Sequence, residues 1–179
     1  MNPTPKPFTP PLGIYNEPPR IRWMIRRDVP EVLQIERSST RFSWEEGILL
    51  GCLRNRNCIG MVADQEEMTY NPLKAYMVYW LHEDYIELAR LVVGKEWQRQ
   101  DIGTSMIDKV KSKLSVHRRT RLIVNVAERD LPLQLFLKKQ EFKCISLCKD
   151  FFYYPEGAYE GAYEGAYEDM YLFEYKTSG

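Results

Sequence analysis

Between Ile86 and Val110 the chain carries an apolar run, Leu91-Val92-Val93, then Gln98-Arg99-Gln100-Asp101-Ile102-Gly103-Thr104, then periodic apolar residues, Met106, Ile107 and Val110. This order reads as a strand, a short loop and a helix with a glycine in its first turn. The first N–H groups of a helix lack partners within it and sit at the positive end of its dipole, so such a start binds anions. A phosphate is the natural ligand. Gly103 and Thr104 offer close-approaching N–H groups there, and Arg99 or Gln100 adds side-chain donors.

Asp101 stands among these donors. Aspartate tolerates positive φ better than most residues, but its side chain obstructs close approach. At about 5 Å and an effective dielectric near 20, it would repel an anion by roughly 3 kcal/mol, about two orders of magnitude in affinity. The same carboxylate is also placed to cap the helix that begins at Ile102.

The elements that would position this loop follow from periodicity. Ile21 to Ile25 reads as a short strand, and Asp28 to Ser38 as a helix with Val29, Val32, Leu33 and Ile35 on its apolar side. A second helix starts at Ser43, with Glu46 completing a capping box, and runs to about Arg54. Strands are expected over Cys58 to Ala63, Lys74 to Leu81 and Tyr85 to Val93, joined by polar turns that suit antiparallel hairpins. The loop helix, Ile102 to Leu114, leads to a strand at Thr120 to Val126, a helix at Leu131 to Lys139, and strands at Lys143 to Phe152 and about Tyr167 to Tyr175.

Composition narrows the function classes. At 179 residues, 44% hydrophobic, the chain suits one domain with a tail. Lys plus Arg equals Asp plus Glu, 25 against 25, so no global field favours nucleic acid or an anionic membrane. The basic cluster Lys109, Lys111, Lys113, Arg118, Arg119 and Arg121 reads first as a solvated face, with a phosphate or RNA contact as its functional alternative; no dedicated nucleic-acid module is evident. No apolar run is long enough to span a bilayer and no signal peptide is evident, which points to the cytoplasm. Cys52, Cys58, Cys144 and Cys148 lack metal-ligand spacing and read as buried, reduced thiols, so no metal is expected.

Residues 1–19 hold seven prolines and read as a disordered extended tail. Tandem Glu-Gly-Ala-Tyr copies at 156–159, 160–163 and 164–167 read as a duplicated surface loop, since loop insertions add little closure entropy.

Gln98, two residues, Asp101, one residue and Gly103 resemble the acyl-CoA signature of the GNAT acetyltransferases, with Asp101 where the first glycine belongs. The element order fits the same family over about Ile21 to Tyr175. The local cues are most similar to the ribosomal-protein-alanine N-acetyltransferases: Ile35-Glu36-Arg37, Phe42-Ser43-Trp44, Gln134-Leu135-Phe136 with Phe142, and Tyr153-Tyr154 with Glu168-Asp169. The resemblance implies an α/β (α+β) GNAT domain over residues 20–176. Its core would be a mixed, mostly antiparallel seven-stranded sheet flanked by about four helices. It also implies acetyl-CoA as co-substrate and a protein N-terminus as acceptor, a ribosomal protein among the candidates.

Site residues follow from the same resemblance. The backbone of Leu91, Val92 and Val93 would pair with the pantetheine arm, and Arg99, Gln100, Ile102, Gly103 and Thr104 would surround the pyrophosphate. Asp130 corresponds to an asparagine that contacts CoA, Asn125 to a glutamate base, Leu137 to a tyrosine acid and Glu141 to a glycine. Glu87, eleven residues before Gln98, takes the place of the glutamate base of another branch. Tyr159 and Tyr163 would lie as a lip beside the acceptor. Two other functions stay open: a binding or regulatory protein that has left catalysis, and an acetyltransferase for a small amine.

Overall fold

The computed structural model describes residues 18–40, 42–64, 72–154 and 166–177. Most of the proline-rich segment and of the tandem repeats, with Tyr159 and Tyr163, lies outside these residues. In chain order the elements are β1 (Arg20–Trp23), α1 (Val29–Ser39), α2 (Glu46–Arg54), β2 (Cys58–Asp64), β3 (Ala75–Leu81), β4 (Tyr85–Val93), α3 (Ile102–Lys111), β5 (Arg121–Ala127), α4 (Leu131–Lys139), β6 (Lys143–Tyr154) and β7 (Ala166–Lys176).

The strands form one seven-stranded sheet, β1-β2-β3-β4-β5-β7-β6. Neighbours run antiparallel except β4 and β5, which are parallel. Because side chains alternate across a strand, each central strand feeds two apolar layers. Met61, Met77 and Tyr79 pack with Met106, Ile107 and Val110 of α3 and Leu137 of α4. Val62, Tyr76 and Val78 pack on the opposite face with Val32 and Leu33 of α1 and Leu49 and Cys52 of α2.

Opposite the adjacent pair Val78 and Tyr79, β4 supplies Arg90 and Leu88, which leaves Ala89 as an extra residue in a β-bulge. The bulge reverses the phase of the strand. Ile86 and Leu88 face the α3 layer; beyond Ala89 it is Leu91 and Val93 that do so, while Arg90 and Val92 turn toward α1.

Two charge networks tie the α1 side together. Glu36, 1% exposed, accepts from Arg90 Nε and Nη2 at 2.7 and 2.8 Å, from Thr40 Oγ1 at 2.7 Å and from the Tyr76 hydroxyl. Arg90 Nη2 also donates to the Phe42 carbonyl at 2.6 Å, and the guanidinium lies over the Trp44 ring. At the β1 edge, Arg22 donates to Asp28 at 2.7 and 2.9 Å and to Asp64 at 2.8 Å, where Arg20 also donates at 2.8 Å.

Burial alone would raise these three carboxyls. The guanidinium hydrogen bonds outweigh it and hold Glu36, Asp28 and Asp64 below their ordinary values. A carboxyl with a depressed folded pKa stabilises fully above its unfolded value of about 4, and that contribution is lost as pH falls through the lower folded value. Calorimetry is therefore expected to show a Tm that holds down to about pH 5 and drops below about pH 4. A Tm unchanged at about pH 3 would contradict this assignment.

Several local expectations are corrected. Ser43 does not cap α2; its hydroxyl donates to the Glu36 carbonyl at 3.2 Å, and Glu45 takes the cap position without a side-chain bond. Regular α3 stops at Lys111 rather than Leu114, because Lys113 and Leu114 bond three residues back, at 3.0 and 2.9 Å, in a tightened last turn. Cys52 and Cys58 are buried, and burial beside Cys52 pushes the Cys58 thiol up to about 12. Cys144 and Cys148 are exposed instead of buried, since Lys143 to Phe151 of the edge strand β6 lie in solvent.

Candidate active site

Pairing between β4 and β5 is confined to Tyr85, Ile86 and Glu87 opposite Arg121, Leu122 and Ile123. Beyond Glu87 the strands part. β5 continues along β7 and β4 along β3, so the β4 edge from Ala89 to Val93 has no strand partner on the β5 side. An unpaired strand edge presents backbone donors and acceptors to a ligand. Gln98 Nε2 already donates to the Val93 carbonyl, at 3.2 Å.

The first turn of α3 lies close to the end of β4. A Cβ placed on Gly103 would lie 3.4 Å from Phe136 Cζ and 3.7 Å from Val93 Cγ2, ordinary contact distances, so this turn lies beside both α4 and β4. Ile102 buries its side chain in the α3 layer and has only its backbone to offer. Thr104 Oγ1 accepts from Gln140 Nε2 and Gln100 Nε2 donates to the Glu96 carbonyl, each at 3.1 Å. These side chains are engaged within the protein, which leaves the N–H groups of Ile102, Gly103 and Thr104 and the exposed Arg99 to meet an anion.

Asp101 adopts φ 55° at the N-cap of α3, the left-handed conformation a glycine would take, but its side chain makes no cap bond. Arg99 and Glu141 share this conformation at φ 62° and 65°. Asp130 is the N-cap of α4, with Oδ1 accepting from the Leu133 N–H at 3.1 Å. Leu137 is fully buried in the α3 layer and has no proton to give.

On the opposite face of the sheet, at the point where the strands part, Glu87 and Asn125 meet. Asn125 Nδ2 donates to Glu87 Oε1 at 3.3 Å, and His82 Nε2 lies 3.0 Å from Glu87 Oε2. The Glu87 side chain is 29% exposed, buried enough to be held and open enough to reach. His82 is the member of this group that the sequence did not mark. Its signal was a histidine five residues before Glu87 across a tight turn, in a chain with two histidines.

The basic cluster does not form one free face. Lys111 donates to the Gln140 carbonyl at 2.7 Å, Arg119 to the His82 carbonyl at 2.6 Å, and Arg121 pairs with Asp84 and with Glu174.

Among known proteins, the model of the acetyltransferase (GNAT) family matches residues 19–142. Comparison with curated protein sequences finds no match. The fold is similar to that of the ribosomal-protein-S18-alanine N-acetyltransferase from Escherichia coli, 16% identical, with TM-score 0.72 over 90% of this chain and 96% of that one. Arabidopsis thaliana NAA60 in complex with acetyl-CoA is 15% identical, with TM-score 0.73 over 90% of this chain and 99% of that one. The ribosomal-protein-alanine N-acetyltransferase from Brucella melitensis is 15% identical, with TM-score 0.65 over 88% and 99%. At these identities the likeness is one of fold. The parted parallel strands, the Gly103 turn beside β4 and the family match lead to one conclusion: the chain belongs to the GNAT acetyltransferase family, which uses acetyl-CoA as co-substrate.

Proposed function

We propose that this protein transfers acetyl from acetyl-CoA to the α-amine of a protein N-terminus, of the ribosomal-protein-alanine type, in the cytoplasm. The observation that carries the reading is the place of Glu87: a held, accessible carboxylate where β4 leaves β5, next to a β4 edge open to a ligand. Backbone N–H groups of Ile102, Gly103 and Thr104, with Arg99, would hold the pyrophosphate, and the edge at Leu91, Val92 and Val93 would hold the pantetheine arm. Bound there, acetyl-CoA supplies the activated acetyl group. Glu87 takes the proton from the incoming ammonium, and an α-amine suits a modest base because its pKa of about 7.7 to 8.0 is well below that of lysine. The likeness to the two ribosomal-protein-alanine enzymes supports the choice of acceptor. The working domain is residues 20–176, with the tail and the repeat loop as additions.

A second reading is favoured by Asp101, whose carboxylate carries negative charge to the phosphate-binding turn. It makes the protein a GNAT fold retained for binding or regulation. Calorimetric titration with acetyl-CoA at low salt separates the two, followed by a screen of N-terminal alanine peptides and small amines. Asp101→Gly is expected to tighten acetyl-CoA binding by about two orders of magnitude, through removal of roughly 3 kcal/mol of repulsion. An unchanged dissociation constant would refute the electrostatic argument. Binding seen only in Asp101→Gly would favour the regulatory reading, and transfer to free amines but not to peptides would favour a small-amine acceptor.

A further inference from the structure

We infer that His82 and Asn125 are positioning residues that clamp the Glu87 carboxylate from two sides, and that Asn125 and Glu87 are interchangeable as the seat of the base. The inference rests on the reading of Glu87 as base. It adds to that reading what holds the base and why β5 carries an amide at this point.

The clamp follows from donor and acceptor chemistry. Asn125 Nδ2 donates to Oε1 at 3.3 Å, and an ionised carboxylate only accepts, so the His82 nitrogen 3.0 Å from Oε2 carries its hydrogen. The hydrogen of this contact therefore sits on His82 Nε2. Each carboxylate oxygen keeps a second lone pair for a proton arriving from a substrate nitrogen. Two donors on two oxygens fix the rotation of a side chain that would otherwise swing freely over the cleft.

Both donors are themselves held. The His82 backbone N–H donates to the Tyr85 carbonyl at 3.0 Å, which closes the turn between β3 and β4. Arg119 Nε, arriving from the segment before β5, donates to the His82 carbonyl at 2.6 Å. The imidazole stacks on Tyr85, with centroids 4.2 Å apart and planes at 14°. Of the neighbouring charges, Asp84 and Glu174 each pair with Arg121. Asn125 alternates with Val124 and Val126, both in the α3 layer, so its amide must face the side where Glu87 lies.

A carboxylate and an amide one methylene shorter face each other across the parting strands. Exchanging them keeps one donor and one acceptor in contact and moves the base from β4 to β5. The double variant Glu87→Gln/Asn125→Asp, which keeps both side-chain lengths, is therefore expected to recover most of the turnover that Glu87→Gln alone loses. A role for Asn125 in folding alone would produce no such recovery.

The test uses the full chain, with kcat, KM, acetyl-CoA affinity and Tm measured for each variant. His82→Phe keeps the stack on Tyr85 and removes only the donor; Asn125→Leu keeps the bulk and removes the amide. Each is expected to lower kcat by about tenfold with the acetyl-CoA dissociation constant unchanged, and His82→Gln, which restores an N–H donor, to recover part of the loss. His117→Gln, on an exposed loop, is the control. Spectra of the imidazole ring read the clamp without turnover: the Nε2 hydrogen is expected to be hydrogen-bonded and slow to exchange in the native chain and to exchange freely in Glu87→Leu. An Nε2 hydrogen that is absent or exchanges freely in the native chain, or undiminished kcat in both His82→Phe and Asn125→Leu, overturns the clamp. A double variant as slow as Glu87→Gln overturns the exchange. A native chain that binds acetyl-CoA yet acetylates no amine overturns the proposed function instead, and the ring spectra still decide the clamp.

Discussion

Glu87→Gln is expected to lower turnover at saturating acetyl-CoA by about two orders of magnitude near pH 7, with little change in acetyl-CoA affinity. The substitution is nearly isosteric. It retains an oxygen for Asn125 to donate to but places an amide donor opposite His82, so base chemistry is the part of the loss beyond the roughly tenfold expected of His82→Phe. The pH dependence carries a second signature. An α-amine ionises with a pKa of about 7.7 to 8.0, so above about pH 8 much of the acceptor arrives already neutral and the need for a base shrinks. The gap between native and variant turnover should narrow as pH rises from about 7 to 9. A gap constant with pH, or no loss at pH 7, would assign Glu87 another role.

Arg90→Met is expected to destabilise the fold by about 3 to 5 kcal/mol at neutral pH, because it leaves Glu36 as a buried carboxylate without its cation. Methionine fills much of the same space, so lost packing contributes little. The variant should also invert the local pH dependence. Without the guanidinium, burial dominates and raises the proton affinity of Glu36, so the deficit relative to the native chain is largest at pH 7 and shrinks as the carboxyl protonates on acidification. Denaturant unfolding at about pH 7 and pH 5 checks both points; equal deficits would show that the charge is not what matters. Activity should suffer as well, since Arg90 holds the Phe42 carbonyl at 2.6 Å and Phe42 stacks on Tyr154 of β6 at 4.5 Å. That chain of contacts links strands three places apart in the sheet.

What was readable from the residues was local. The Leu91 to Thr104 strand, loop and helix could be read because a run of apolar residues, a glycine and a helical period all act over a few positions. At Asp101 the residue type allowed the positive φ that the loop adopts, but the cap bond expected of its carboxylate does not form. What escaped was set by register and burial. The parting of β4 from β5 depends on which residues of distant segments pair, and no periodicity within either strand encodes that. The Glu36–Arg90 pair joins residues 54 positions apart, so neither looks unusual in its own helix or strand. His82 meets Glu87 only because a tight turn folds the end of β3 back onto β4. The cysteines of β6 were misread because burial was inferred from residue type, whereas an edge strand exposes whatever it carries.

The extra residue in β4 works as a displaced tooth in a gear. Upstream of Ala89 the strand turns Glu87 toward the α1 side while Ile86 and Leu88 face α3; downstream, the same alternation delivers Leu91 and Val93 to α3 and Arg90 to Glu36. Remove that tooth and every downstream side chain meshes with the wrong layer, with Arg90 driven into hydrocarbon and Leu91 and Val93 turned away from it. Residues along this strand can therefore be exchanged without disturbing the alternation, whereas a change of one residue in its length turns the alternation over.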